Sequence, residues 1–89
     1  MTATAIPSIL VLGRDTCEDT VRSIALLDGR QIAYTYLHVD QDPAADAWIR
    51  RLNNGEWWTP TILIGDREQP DTILREPSDP ELLGAIGLG

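Results

Sequence analysis

The strongest constraint on the fold is the alternation of three short apolar segments with two helical ones. Residues 8–13, 32–39 and 61–64 are rich in aliphatic, branched and aromatic side chains. Segments of this length and composition are typical of strands. The segments 17–27 and 44–52 between them are bounded by helix start and stop residues. A strand–helix–strand start predicts a parallel first pair with a right-handed crossover.

The start of the first helix is predicted from a capping box. Thr16 and Asp19 fit the T-x-x-D pattern, which places Cys17 in the first helical turn. Gly29 is predicted to end the helix in a left-handed conformation. The apolar stripe expected to face the sheet consists of Cys17, Val21, Ile24 and Ala25.

The second half of the chain adds one more helix and a strand pair. Asp42 is expected to cap the second helix, with Pro43 at its first position. Its inward side is predicted to hold Ala44, Ala45, Trp48 and Leu52. Residues 67–71 are predicted to form a loop and 72–74 a short strand. Ser78 and Glu81 form a capping box for a last helix through residue 86.

The resulting order is β-α-β-α-β-β-α. It predicts an α/β fold with a four-stranded mixed sheet and helices on both faces. We interpret residues 1–89 as a single domain, with residues 1–7 as a loose N-terminal tail.

Composition excludes several classes of partner. Fourteen acidic residues outnumber seven basic ones, all arginine, and the net charge is −7. Nucleic acids and anionic membranes need a basic surface, so neither is expected as a partner. No apolar run approaches the roughly 20 residues of a membrane span, and no signal peptide is visible. We therefore expect a cytoplasmic monomer.

Cys17 is the only cysteine, which excludes an internal disulfide. Helix N-termini stabilise thiolates, the reactive form of cysteine. Free cysteine is also a common inert core residue, so this local pattern leaves both interpretations open. A single histidine, His38, cannot complete a metal site with one cysteine. No metal is expected, and His38 is interpreted as structural.

Two segments carry a resemblance to a known family. The segment Thr16-Cys17-Glu18-Asp19-Thr20 is similar to the T-C-x-x-C motif after the first strand of glutaredoxins. The segment Trp58-Thr59-Pro60-Thr61 resembles their T-V-P-T segment. Residues 40–43, 53–55 and 76–78 are also similar to small bacterial glutaredoxins and mycoredoxins. The resemblance covers about residues 9–83 and implies a thioredoxin fold.

The chain departs from this family at several positions. Thr20 replaces the second cysteine of the motif, so an internal two-cysteine relay is impossible. Glu18 and Asp19 stand where iron–sulfur-binding relatives carry glycine and phenylalanine, and these carboxylates also oppose a thiolate. Thr59 replaces the valine before the proline. These departures leave a single-cysteine mechanism.

The resemblance implies a set of site residues around the nucleophile Cys17. Arg14 would support the thiolate or pair with a substrate carboxylate; the alternative is a pair with Asp15 or Glu18. The Thr20 hydroxyl would form a hydrogen bond either to the Cys17 sulfur or to the preceding turn of its own helix, and we favour the second. The residues expected to hold the small thiol are Thr59, Pro60 with a cis bond, Ser78 and Asp79.

Trp57 and Trp58 are adjacent, so they are expected to point to opposite faces of an extended chain. We expect one to pack inward and the other to form a partner surface, with packing of both as the alternative. Ser78 and Asp79 have a purely structural alternative as well, since a capping box needs no ligand.

Two functions from different classes follow. The first is a glutaredoxin-like oxidoreductase that reduces mixed disulfides between proteins and glutathione or a similar small thiol, with no tightly bound cofactor. The second is a non-catalytic binding module that has lost redox activity. Cluster binding by a Cys17-bridged dimer is a weaker third idea, against which Glu18 and Asp19 argue.

Overall fold

The predicted order of elements is confirmed in the computed structural model, which describes residues 6–88. The strands are β1 (Ile9–Gly13), β2 (Thr35–His38), β3 (Thr61–Gly65) and β4 (Pro70–Arg75). The helices are α1 (Glu18–Gly29), α2 (Pro43–Leu52) and α3 (Asp79–Ala85). The tail predicted for residues 1–7 lies mostly outside the described residues.

The four strands form one mixed sheet in the order β2-β1-β3-β4. β1 is parallel to β2 and antiparallel to β3, and β3 is antiparallel to β4. β1 and β3 are therefore the central strands, and nearly all their residues are buried. Their continuous apolar runs are explained by this position, because both faces of a central strand are covered.

Helices cover both faces of the sheet. Leu27 of α1 and Leu82 of α3 pack on one face, against a core that includes Val11 and Ile62. The other face packs against α2; its buried cluster consists of Leu10, Leu12, Val39, Ala45, Ile49 and Leu63. The α/β layering, with a mixed sheet between helices, is the predicted thioredoxin-like architecture.

Several local predictions are corrected. β2 covers only residues 35–38 of the predicted 32–39, because its register with β1 ends there. β4 begins at Pro70, inside the predicted loop, since a proline is tolerated as the first residue of a strand. On α2, Ile49 is buried and Ala44 is exposed.

The end of α1 is also different. Gly29 lies within the helix, Arg30 is the C-cap, and Gln31 adopts the positive φ of 57°. Among residues 6–88, no helix is long and apolar enough to cross a membrane.

Candidate active site

Cys17 is the N-cap of α1. It therefore directly precedes the first helical turn, in which it was predicted to lie. No side-chain hydrogen bond caps the helix, so the Thr16–Asp19 capping box is wrong. The Asp19 carboxylate instead accepts a hydrogen bond from Arg22 at 2.8 Å. The Cys17 amide donates to the Arg14 carbonyl at 3.2 Å, and its own carbonyl accepts from Val21. These backbone bonds hold the partly exposed thiol at the helix end.

The loop before β3 lies against the thiol. The Thr59–Pro60 peptide bond is cis, as the resemblance implied. Cys17 Sγ donates to the Thr59 carbonyl at 3.2 Å, although 42 residues separate them in sequence. Both Thr59 and Pro60 are buried. The fold thus brings the cysteine motif and the Thr-Pro-Thr segment into direct contact.

Arg14 contacts the same loop. Its Nε donates to Thr59 Oγ1 at 3.5 Å, and its guanidinium carbon lies 5.7 Å from the centre of the Trp57 ring. None of the ion pairs found within residues 6–88 includes Arg14. The alternative pairing with Asp15 or Glu18 is therefore absent from this part of the chain.

Thr20 is buried beneath the thiol, with 1% of its surface exposed. Its Oγ1 accepts a hydrogen bond from the Arg14 amide at 3.5 Å, so it supports the loop before α1. The sequence favours a hydrogen bond from this hydroxyl to its own helix. The structure instead directs the hydroxyl toward the loop and toward Cys17, whose pKa it lowers.

The pKa of Cys17 is lowered from its ordinary value by hydrogen bonding. Burial is the largest influence and raises this pKa, because it penalises the charged form. Hydrogen bonds from the Thr59 side chain, the Thr20 backbone and hydroxyl, and the Asp19 backbone together outweigh it. The direction agrees with the expectation from the helix N-terminus, since the Asp19 and Thr20 backbone donors belong to the first turn of α1.

Gly13 makes room for Thr20 at the end of β1. A Cβ at residue 13 would lie 2.7 Å from both Oγ1 and Cγ2 of Thr20. Because Thr20 is buried, relief of this contact requires packed atoms to move, and we expect Gly13→Ala to lower the free energy of unfolding by about 1–3 kcal/mol. Urea denaturation measures this loss. Gly29→Ala is the matched control, since nothing lies within 4 Å of its added methyl group; an equal loss there would contradict the clash.

The two tryptophans have different environments. Trp57 packs against the α2-side core, and its Nε1 donates to Asp46 at 2.7 Å. The guanidinium carbons of Arg14 and Arg50 lie 5.7 and 5.3 Å from the centre of its ring. Trp58 is 45% exposed. Trp57 thus fixes one side of the site, and Trp58 presents an aromatic surface beside it.

A buried polar network anchors the loop that carries Thr59. The Thr61 hydroxyl donates to the Trp58 carbonyl and accepts from Asn53 Nδ2 at 3.1 Å. Asn53 also donates to the Ile49 carbonyl at 2.9 Å and accepts from Arg75 Nε. The sequence identifies Asn53 only as part of the helix stop signal. In the structure it links α2, β3 and β4 behind the candidate site.

The Ser78–Asp79 segment forms the predicted capping box. Ser78 Oγ accepts from the Glu81 amide at 3.2 Å, and Glu81 Oε1 accepts from the Ser78 amide. Arg22 of α1 lies 3.6 Å from Asp79 and donates to the Pro77 carbonyl. This segment is thereby tied to α1, while its proposed contact with a small thiol stays a prediction.

His38 lies at the end of β2, 3.3 Å from Asp15. Tyr36 donates to the same carboxylate at 2.9 Å, and its ring stacks on His38 with centroids 4.1 Å apart. The cluster stabilises the loop that leads into Cys17. Its position is consistent with a structural role for His38.

The fold and this contact define a protein of the thioredoxin-like class, with one cysteine at a helix start facing a cis-proline loop. A family model for glutaredoxin matches residues 9–68, and the chain belongs to that family. The match includes Cys17 and the Thr59–Pro60 segment but ends before β4 and α3. No curated protein and no solved structure gives a significant match.

Membership of this family indicates a thiol–disulfide oxidoreductase role. The structure adds the features of this chain: a single sulfur, a threonine before the proline, and an arginine bonded to that threonine. These features determine which version of the family chemistry the site can perform.

Proposed function

We propose that this protein is a single-cysteine oxidoreductase that reduces mixed disulfides between proteins and glutathione or a similar small thiol. The observation that carries the proposal is the contact of the partly exposed Cys17 with the Thr59–Pro60 loop, where hydrogen bonds lower the pKa of its thiol. A lowered pKa raises the fraction of thiolate near neutral pH, and the thiolate is the attacking form.

The first step forms one disulfide and breaks another. The Cys17 thiolate attacks the small-thiol sulfur of the mixed disulfide. The protein sulfur leaves as a thiolate and takes a proton from water, and Cys17 keeps the small thiol in a new disulfide. The target protein has been reduced, and Cys17 carries the oxidising equivalent.

The second step regenerates the protein without another cysteine. A second small thiol loses its proton and attacks the small-thiol sulfur bound to Cys17. Cys17 leaves as a thiolate, and the small thiols leave joined as a disulfide. Over the two steps, one free small thiol is consumed for each mixed disulfide, and the disulfide bond passes from the target protein to the two small-thiol molecules. The threonine in place of the second cysteine therefore does not block turnover. The cycle requires no tightly bound cofactor.

The groove for the small thiol is proposed to comprise Arg14, Thr20, the Thr59–Pro60 backbone and the Ser78–Asp79 segment. The bonds of Arg14 with Thr20 and Thr59, and of Thr59 with Cys17, support this proposal. We also propose that the protein acts as a monomer in the reducing cytoplasm, where small thiols are abundant and disulfides are short-lived.

Turnover of a glutathionylated peptide tests the function. With glutathione in excess, we expect the wild-type protein to release the peptide thiol faster than the uncatalysed exchange. Mass spectrometry of a sample quenched with acid should show one glutathione attached at Cys17. Absence of both rate enhancement and adduct, with glutathione and with other cellular small thiols, would contradict the oxidoreductase proposal.

A non-catalytic binding module is the second candidate. The exposed Trp58 beside the Thr59–Pro60 segment favours it, because an exposed aromatic ring suits a protein partner. Glu18 and Asp19 next to the thiol favour it as well. This candidate predicts that alkylation of Cys17 leaves partner binding intact, whereas alkylation abolishes the activity of an oxidoreductase.

A further inference from the structure

We infer that Thr59 is a positioning residue for the Cys17 thiolate, because its hydroxyl, held by Arg14, donates a hydrogen bond to the ionised sulfur. The inference rests on the proposed function, since it concerns the nucleophile of that reaction. It assigns a role to the side chain of Thr59, whereas the resemblance involved only its backbone.

Thr59 contacts both Cys17 and Arg14. Its carbonyl accepts the Sγ–H of Cys17 at 3.2 Å, and its Oγ1 accepts the Nε–H of Arg14 at 3.5 Å. With 5% of Thr59 exposed, water has little access to its hydroxyl. A hydroxyl has one proton and two lone pairs. Because Arg14 occupies a lone pair, the hydroxyl proton is available to an acceptor on the other side.

Ionisation of Cys17 creates that acceptor. When the thiol releases its proton to water, the Sγ–H bond to the Thr59 carbonyl is lost, and a carbonyl oxygen then faces a negative sulfur. The hydroxyl of Thr59 can then donate a hydrogen bond to the sulfur. This bond is stronger to the charged thiolate than to the neutral thiol. The hydrogen bond from this side chain is accordingly one of the causes that lower the pKa of Cys17.

Arg14 acts through Thr59 in this arrangement. Its guanidinium lies near the Trp57 ring, with Nε directed at the Thr59 hydroxyl. An arginine bonded to the oxygen polarises the O–H group and strengthens its bond to sulfur. A valine at residue 59 would fill the same space, but it has no hydroxyl to accept a hydrogen bond from Arg14 and donate one to Cys17.

The test compares Thr59→Val with Thr59→Ser. Valine is close in volume but lacks the hydroxyl, and serine retains it. A hydrogen bond to a charged group corresponds to a pKa change of about one unit. We therefore expect the pKa of Cys17, followed by thiolate absorbance, to rise by about one unit in Thr59→Val and to stay near the wild-type value in Thr59→Ser.

The alkylation rate gives a second readout that a purely structural effect would not reproduce. Below the pKa, Thr59→Val has about tenfold less thiolate, but the more basic thiolate is about threefold more nucleophilic. Iodoacetamide should thus react about threefold more slowly below the wild-type pKa and faster above both pKa values, so the two pH profiles cross. A uniformly shifted profile would contradict the inference.

Arg14→Met, made alone and with Thr59→Val, tests the relay. It should raise the pKa of Cys17 in the wild-type background and leave it unchanged in Thr59→Val. An equal effect in both backgrounds would show that Arg14 acts directly and would overturn the relay. If Thr59→Val does not fold, Thr59→Ala replaces it, with the same expected rise.

These measurements separate the inference from the proposed function. The pKa and alkylation profiles need no turnover. A wild-type pKa in Thr59→Val, or the same rise in Thr59→Ser, overturns the role of the hydroxyl even in an active enzyme. A rise in Thr59→Val alone supports that role even if no mixed disulfide is reduced.

Discussion

Replacing Cys17 by serine is expected to abolish turnover of a mixed disulfide. A serine hydroxyl is not ionised near neutral pH and cannot form the disulfide that carries the small thiol between the two steps. No other sulfur nucleophile exists in the chain, because Cys17 is the only cysteine. The release of peptide thiol should fall to the uncatalysed rate, with no glutathione adduct in the mass spectrum.

Ala25→Ser is the matched control, since it also introduces a serine into α1 but at an exposed position. It should retain wild-type turnover. Thr20→Ala should remain active at a reduced rate, because its hydroxyl supports the thiolate but is not a resolving group. Catalysis that persists in Cys17→Ser would exclude the covalent mechanism.

The order of elements could be predicted because strong local signals agree with the tertiary fold. The central strands are almost uniformly apolar, and the caps at Asp42 and Ser78 form as expected. Each of these caps needs only a side chain and a backbone amide two or three residues away. Such contacts are local, so they can be predicted from sequence spacing.

The face of α1 could not be predicted in this way. The buried residues are Thr20, Ser23 and Leu27, whereas Val21 is 52% exposed. Hydrophobic periodicity assigns polar residues to the solvent side. Here a small polar residue is needed under the loop, since Thr20 packs against Gly13 and bonds the Arg14 amide. Tertiary packing at the site therefore overrides the apolar stripe.

The capping box at Thr16 failed for a different reason. The N-cap is Cys17 and not Thr16, so Asp19 lies at the second helical position, and its carboxylate accepts a hydrogen bond from Arg22. The chain before α1 is held instead by the bond from the Cys17 amide to the Arg14 carbonyl. The T-x-x-D pattern does not include Arg22, whose bond to Asp19 can be seen only in the structure.

The side-chain role of Thr59 had a signal that remained uninterpreted. The replacement of valine by threonine before the proline was visible in the sequence, but its partner was not. Arg14 is 45 residues away, and only the antiparallel pairing of β1 with β3 brings the two together. The departure from the family pattern thus indicated residue 59, but its contact with Arg14 could be identified only from the fold.

Asn53→Ala is expected to be among the most destabilising substitutions. It removes a buried side chain that bonds the Ile49 carbonyl, the Thr61 hydroxyl and the Arg75 guanidinium. At about 1 kcal/mol for each neutral bond and about 1.5 kcal/mol for the charged one, the loss in unfolding free energy is about 3.5 kcal/mol. That is a large part of the 5–15 kcal/mol typical of a folded domain, and urea denaturation measures it.

The same substitution should reach the thiol through the loop. Without Asn53, the Thr61 hydroxyl loses its donor and holds the Trp58 carbonyl less firmly, so Thr59 is positioned less well against Cys17. We expect the pKa of Cys17 to rise toward its free value, which slows alkylation below the wild-type pKa. Gln41→Ala removes an exposed amide and should change stability by less than about 0.5 kcal/mol. If Asn53→Ala loses stability but its folded form keeps the wild-type pKa, the network supports only the fold, and the Thr59–Cys17 contact is set by the loop itself.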